Sequence, residues 1–180
     1  MSQEMIMGRL LPVAMFIMVI RCMPIDNTER IKNRFDQWKN DEISKGRVLS
    51  EENCNPSIAL SKGLNQISGI PDEVDFSYAH INTDNLIDAL VTFQPMQCDG
   101  GNGLMWAQIQ LVILSNNGSY EIDDDYFKSI GNDLKGFYHL DSVTSSEFSG
   151  TYFEFLDGDA HCCPSVKKRI TIQFKTNELR

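Results

Sequence analysis

The chain has 180 residues, 42% of them hydrophobic and 9% aromatic, and a formal net charge of −9 from 25 acidic and 16 basic residues. This length suits one domain with a substantial core. The acidic balance, with Lys167-Lys168-Arg169 as the largest basic cluster, argues against a surface for nucleic acid or anionic membranes.

The first 23 residues have the pattern of an export signal. Leu10 to Ile20 follow Arg9 without a charge, a length typical of a signal-peptide core and too short to span a bilayer. A buried N-terminal helix of a cytosolic protein is the alternative. We predict a signal peptide or N-terminal anchor over residues 1–23, a single domain without a membrane span over residues 24–180, and a periplasmic or secreted location.

Lipid anchoring at Cys22 is a second export hypothesis. Arg21 stands where a small residue normally precedes a lipidated cysteine, which disfavours this hypothesis. Removal of residues 1–23 leaves an even number of cysteines, as expected for disulfides formed in an oxidising compartment. These are Cys54, Cys98, Cys162 and Cys163.

Helical periodicity is confined to the first part of the chain. Asp26 to Asn40 spaces its apolar residues along one stripe, which predicts an amphipathic helix that packs on a neighbouring surface. A second helix beginning at Ser50 is interrupted by Pro56 and Gly63. An irregular loop held by Cys54 is therefore the alternative for this segment.

Seven short segments with strand periodicity follow Pro71, separated by turns and without helices between them. Asn116-Asn117-Gly118 predicts a tight hairpin turn, because Asn and Gly accept positive φ. We predict an α+β fold, in which an N-terminal helical segment packs on a curved antiparallel β-sheet and disulfides staple the domain. The predicted strands are Val74–His80, Ile87–Phe93, Trp106–Leu114, Tyr120–Ile122, Gly136–Val143, Thr151–Phe155 and Arg169–Phe174.

A polar turn leads directly into the second predicted strand. It resembles the calcium loop of FG-GAP-type extracellular repeats, and this resemblance implies a calcium site formed by Asn82, Asp84 and Asp88. His80 and Asn85 stand where the repeat has aspartate and glycine. A metal-free turn held by side-chain hydrogen bonds to the backbone is therefore the favoured interpretation, and calcium is the one cofactor that the pattern admits.

One histidine and two cysteines stand together near the C-terminus. His161, Cys162 and Cys163 could bind zinc with Cys98, but exported thiols oxidise first, so disulfides are favoured over zinc or a reactive thiol. We predict that Cys98 pairs with Cys162 or Cys163 and that Cys54 takes the other. A bond between adjacent cysteines would require a strained ring.

The glycine-rich loop from Cys98 to Gly103 does not predict a phosphate site, because neither a helix nor a lysine follows it. Its glycines instead allow a tight reversal of the chain. We expect Trp106 to pack over the disulfide of Cys98.

No residue pattern identifies a catalytic centre. His139 and His161 lie near Asp141 and Asp159 in sequence, yet no serine has the surroundings of a nucleophile elbow and disulfide-bonded cysteines cannot act as thiolates. We therefore predict that the protein is not an enzyme. The alternatives are a cell-envelope hydrolase, which would use His161 or the aspartates of the polar turn, and a calcium-binding module.

Two acidic runs are the predicted contact points for a protein partner. An acidic surface favours encounter with a basic protein, and many envelope-degrading enzymes are basic. A solvated turn is the alternative for the first run. The predicted partner-binding residues are Asp123, Asp124, Asp125, Asp157 and Asp159.

The combined motifs resemble small bacterial exported proteins of unknown function, similar in outline to the LppP/LprE-like lipoprotein family. The resemblance covers about Val74 to Phe174, and it implies an envelope location and a non-enzymatic β domain. The motif residues are Asp84, Asp88, Cys98, Gly100, Gly101, Cys162, Cys163 and Pro164. We therefore predict an exported binding protein, with an inhibitor or immunity protein for an envelope-acting enzyme as its specific form.

Overall fold

The computed structural model describes residues 26–61, 68–102, 104–128 and 135–174. The predicted signal segment and Cys22 lie outside these ranges. The described chain has an N-terminal helix and antiparallel sheets, which confirms the predicted α+β class. Within these ranges, no helix is long and apolar enough to cross a membrane.

Helix α1, Asn27–Ser44, confirms the predicted amphipathic helix and extends it by one turn. Asp26 precedes the helix, and its carbonyl oxygen accepts the first helical bond from the Arg30 N–H at 3.1 Å. The apolar stripe buries Ile31 and Phe35. The helix therefore lies on the sheet as its periodicity predicts.

Helix α2, Pro56–Ser61, is shorter than the predicted second helix. Ser50 does not begin it, because Leu49–Ser50 forms a strand. Proline occupies the first helical position, where its missing N–H costs no hydrogen bond. Residues 62–67 of the predicted helix lie outside the described ranges.

Ten strands lie in the described ranges, and they include all seven predicted ones. They are β1 (Leu49–Ser50), β2 (Ser68–Ile70), β3 (Asp75–Ala79), β4 (Asp88–Phe93), β5 (Met96–Gln97), β6 (Ile109–Asn116), β7 (Ser119–Asp123), β8 (Phe137–Val143), β9 (Glu147–Glu154) and β10 (Val166–Gln173). The predicted strands divide between two antiparallel sheets, of order β3-β4-β6-β7 and β10-β9-β8. The three additional strands form a small mixed sheet of order β1-β2-β5.

The hairpin between β6 and β7 has the predicted turn. Asn117 and Gly118 adopt φ values of 48° and 84°, which match a tight turn between antiparallel strands. This places Ser115 directly opposite Tyr120 in the strand register.

Strand β4 is the centre of the fold, because both of its faces are buried. On one face, Ala89 and Val91 belong to a core shared with α1. On the other face, Leu90 packs in a second core with Leu140 of β8 and Phe148 of β9. This part of the molecule therefore has three layers. Helix α1 lies on one side of the β3-β4-β6-β7 sheet, and the β10-β9-β8 sheet lies on the other.

Two glutamine side chains join the two larger sheets. The Gln108 amide accepts a hydrogen bond from the Leu140 N–H at 2.7 Å and donates one to the Leu140 carbonyl at 3.0 Å. Gln110 donates to the Tyr138 carbonyl, also at 3.0 Å. Strand β8 is at the edge of its sheet, and the two glutamines satisfy backbone groups on its outer side. Without them, these groups would be open to pairing with another strand.

The predicted disulfide pairing is wrong. Cys54 pairs with Cys98, and Cys162 pairs with Cys163. Cys54 follows β1 and Cys98 follows β5, so the small β1-β2-β5 sheet brings these two cysteines together. A Cβ atom on Gly69 of the intervening strand would lie 2.9 Å from the Cys98 sulfur, so only glycine fits beneath this bond.

Candidate functional site

The carboxylate of Asp88 organises the polar turn that precedes β4. Asp88 is 0% exposed. Its Oδ2 accepts backbone N–H bonds from Ile81 at 2.7 Å and Asn82 at 3.1 Å, and its Oδ1 accepts one from Ser115 at 2.7 Å. The buried negative charge is thus compensated by backbone donors from the turn and from β6.

The rest of the turn is held by side chains that bond to nearby backbone. The Asn82 side-chain oxygen accepts from the Asp84 N–H at 3.0 Å, and the Asp84 carboxylate accepts from the Leu86 N–H at 2.9 Å. Asn85 adopts a φ of 61° where the resembling repeats have glycine. The hydrogen-bonded turn favoured by the sequence is therefore present.

Ser115 links the two aspartates of this turn. Its Oγ lies 2.6 Å from Asp84 Oδ2 and 2.8 Å from Asp88 Oδ1. The structure thus brings the predicted calcium-site residues Asn82, Asp84 and Asp88 together around a serine that the sequence did not identify. Across the part of the chain that the structure describes, no group of three or more His, Cys, Asp or Glu side chains is arranged to hold a metal ion.

The first acidic run lies beside this turn. Asp123, Asp124 and Asp125 line a cleft of about 620 Å³ together with Asn82 and Ser115. The Asp123 carboxylate accepts the Asp125 N–H at 3.1 Å. Two of the predicted sites therefore share one acidic cleft, although the run also forms its own turn.

The second acidic run belongs to the loop of residues 155–165 that joins β9 to β10, here named the β9–β10 loop. The Asp159 carboxylate accepts the N–H groups of Leu156 and Ser165, each at 2.8 Å, and also the Ser165 hydroxyl. These hydrogen bonds hold the pKa of Asp159 below its usual value, and the bond from the Ser165 hydroxyl has the largest effect. Asp159 therefore closes the base of the loop, and Asp157 is the exposed carboxylate of this run.

Trp106 fixes the far end of the loop. Its indole N–H donates to the His161 carbonyl at 2.8 Å. The indole ring packs against Phe137, Phe153 and Phe155, with ring centroids 5.7, 5.8 and 6.2 Å away. Trp106 therefore anchors the segment that contains the Cys162–Cys163 disulfide, and the packing predicted over the Cys98 disulfide is not the contact observed.

The β9–β10 loop presents two adjacent apolar side chains to solvent. Phe155 is 39% exposed and Leu156 is 51% exposed. Gly158, with a φ of 94°, turns the chain immediately afterwards. Thr151–Phe155 was the predicted strand here, but β9 ends at Glu154, so Phe155 is the first residue of the loop.

The histidines and aspartates that are close in sequence do not pair with one another. His139 Nε2 lies 2.9 Å from the Trp106 carbonyl oxygen. Asp141 binds Arg169 at 2.6 Å, and this hydrogen bond lowers the pKa of Asp141. His161 is exposed in the β9–β10 loop. His139 and Asp141 therefore bind different partners and do not form a dyad.

Comparisons with protein-family models, with curated proteins and with solved structures find no match for this chain. Among the described residues, the acidic cleft and the β9–β10 loop are the surfaces that contain the predicted partner-binding residues.

Proposed function

We propose that this protein is an exported, non-enzymatic binding protein that holds a basic protein partner through its β9–β10 loop. An inhibitor or immunity protein for an envelope-acting enzyme is the specific form of this proposal. The main observation behind the proposal is the exposed Phe155–Leu156 pair. This pair lies on a loop that is held at its base by Asp159 and at its far end by Trp106.

The loop is ordered before any partner arrives. Asp159 closes its base through three hydrogen bonds, Trp106 binds its far end, and Cys162 is covalently joined to Cys163. Binding then costs little additional conformational entropy. Aromatic side chains such as Phe155 are enriched at protein interfaces, and an adjacent leucine adds apolar area that a partner can bury.

Charge supports a basic partner. The chain has a net charge of −9, and Asp157 lies next to Leu156 on the loop. Asp123 and Asp124 add negative charge at the cleft, whereas Asp125 forms an ion pair with Lys128 at 3.1 Å. An acidic surface increases the rate of encounter with a basic protein, whereas the buried apolar contacts supply most of the affinity.

Two features support a location outside the cytoplasm. The chain forms disulfides, which persist mainly in oxidising compartments. The uncharged segment Leu10 to Ile20 has the length of a signal-peptide core. An exported inhibitor would meet its target in the same compartment.

The test is capture of partners from the envelope and secreted fractions, followed by measurement of the affinity for the purified partner. The bait is the chain produced with its own N-terminal segment and tagged at the C-terminus. The Leu156→Ser variant should weaken binding by about 10- to 100-fold, the value expected for one buried leucine. Leu60→Ser is the matched control, because Leu60 is 75% exposed on α2 and should leave affinity unchanged.

Two results would count against the proposal. One is equal affinity for wild type and Leu156→Ser, which would place the interface elsewhere. The other is turnover of a peptidoglycan or ester substrate by the purified protein, which would make it an enzyme.

A further inference from the structure

The two disulfides differ sharply in their surroundings. Cys98 is 1% exposed, packs with Leu49 and Ala59, and rests on Gly69. Cys162 and Cys163 are both exposed in the β9–β10 loop. Cys54, the partner of Cys98, is half-buried. A thiolate in solution therefore reaches the second disulfide, where both cysteines are exposed, more readily than the first.

They also differ in what they connect. Cys54 and Cys98 are separated by 44 positions, whereas Cys162 and Cys163 are separated by one. A disulfide that closes a long loop restricts the unfolded chain, and one between neighbours closes almost no loop. The Cys162–Cys163 bond therefore contributes little to the stability of the fold, and its effect is on the β9–β10 loop.

We propose that Cys162–Cys163 is a thiol–disulfide exchange site whose redox partner is a dithiol, while Cys54–Cys98 is a permanent structural bond. Exposed disulfides are the labile and regulatory ones, whereas buried structural disulfides resist reduction. This site lies in the same loop as Phe155 and Leu156, the side chains that we propose contact the partner, but it does not include them.

The exchange is balanced in two steps. A thiolate of the dithiol attacks one sulfur of the Cys162–Cys163 bond, which breaks, and a mixed disulfide forms while the departing cysteine leaves as a thiolate and takes up a proton. The second thiolate of the dithiol then attacks the mixed disulfide and releases the other cysteine, which is also protonated. Two electrons pass to the protein, and the dithiol becomes a disulfide.

Reduction changes the contacts in the β9–β10 loop. The Cys163 N–H donates to the Ala160 carbonyl at 2.8 Å, and the Trp106 indole holds the carbonyl of His161, the residue before Cys162. The first contact is made by the peptide group between Cys162 and Cys163, and the second by the neighbouring peptide group between His161 and Cys162. Opening the ring between the two cysteines frees the first of these peptide groups and alters the position of the second. If the proposed function is correct, reduction also loosens the loop that carries Leu156 and weakens binding.

The test is a redox titration of the whole protein in graded mixtures of reduced and oxidised dithiothreitol. Free thiols are trapped with N-ethylmaleimide and located by peptide mapping. Cys162 and Cys163 should become labelled at a ratio of reduced to oxidised reagent at least about tenfold lower than that needed for Cys54 and Cys98. This measurement requires no partner, so its failure is distinguishable from failure of the proposed function.

Trp106 supplies a second readout. In a Trp38→Phe background it is the only tryptophan, and its emission should change at the ratio that labels Cys162 and Cys163. A Cys162→Ser, Cys163→Ser double variant in that background should show no such step. Reduction of Cys54–Cys98 first, simultaneous reduction of both bonds, or free thiols at Cys162 and Cys163 in the oxidised protein would overturn the proposal.

Discussion

Replacement of Asp88 by asparagine tests the central polar contact of the fold. The change preserves the volume of the side chain but replaces one carboxylate oxygen with an NH₂ group. Oδ2 faces the N–H groups of Ile81 and Asn82, and Oδ1 faces the N–H of Ser115. In either orientation, the new NH₂ group meets a buried backbone donor and leaves it without an acceptor.

The cost follows from the bonds lost. Hydrogen bonds to a charged group contribute about 1.5–3 kcal/mol each, and a buried donor without a partner costs about 1–3 kcal/mol. We therefore expect Asp88→Asn to lower the free energy of unfolding by about 4 kcal/mol, a large fraction of the stability of a typical domain. Urea denaturation followed by tryptophan fluorescence measures this difference.

Asp75→Asn is the matched control for Asp88→Asn. Asp75 lies on β3 and is exposed, so the same chemical change should alter the free energy of unfolding by less than about 0.5 kcal/mol. A loss below about 1 kcal/mol for Asp88→Asn would refute the view that this carboxylate organises the turn.

Two further predictions concern the disulfides and the β9–β10 loop. In the chain-entropy model, the double variant Cys54→Ser, Cys98→Ser should lower the free energy of unfolding by about 4 kcal/mol. The double variant Cys162→Ser, Cys163→Ser should lower it by less than about 1 kcal/mol. Equal losses in urea denaturation would contradict the view that only the first disulfide stabilises the fold. Because the pKa of Asp159 is lowered in the closed loop, the closed form is favoured above the ordinary aspartate pKa of about 4 and is lost as the pH falls through the lowered value. The emission of Trp106 in a Trp38→Phe background should therefore change only below about pH 4. Asp159→Asn should abolish that change. A transition near neutral pH would contradict the view that the Asp159 carboxylate holds the loop closed.

The periodicity of the chain predicts most of the strands but not what covers them. In β4, alternation identifies a strand, yet Asp88 and Thr92 look like residues of a solvated face. Both are buried. Leu90 on the same face packs against the β10-β9-β8 sheet, and the turn at Ile81 and Asn82 covers Asp88. The Ser115 donors to Asp88 come from 27 residues further along the chain, a distance at which local patterns carry no information.

The disulfide pairing was unpredictable for a similar reason. Cys54 and Cys98 meet through β1 and β5, which have two residues each. Strands this short have no detectable periodicity. Likewise, the exposure of Phe155 depends on β9 ending one residue before the predicted boundary, and element boundaries are the least predictable feature of a sequence.

Site-specific photocrosslinking in the native compartment tests the proposed binding function most directly. A photoreactive phenylalanine analogue is placed at Leu156 in one protein and at Leu60, on α2, in the control. We predict that position 156 forms a crosslink to a basic protein and that position 60 does not. Crosslinking from Leu60 alone, or the same products from both positions, would contradict the assignment of the β9–β10 loop as the binding surface.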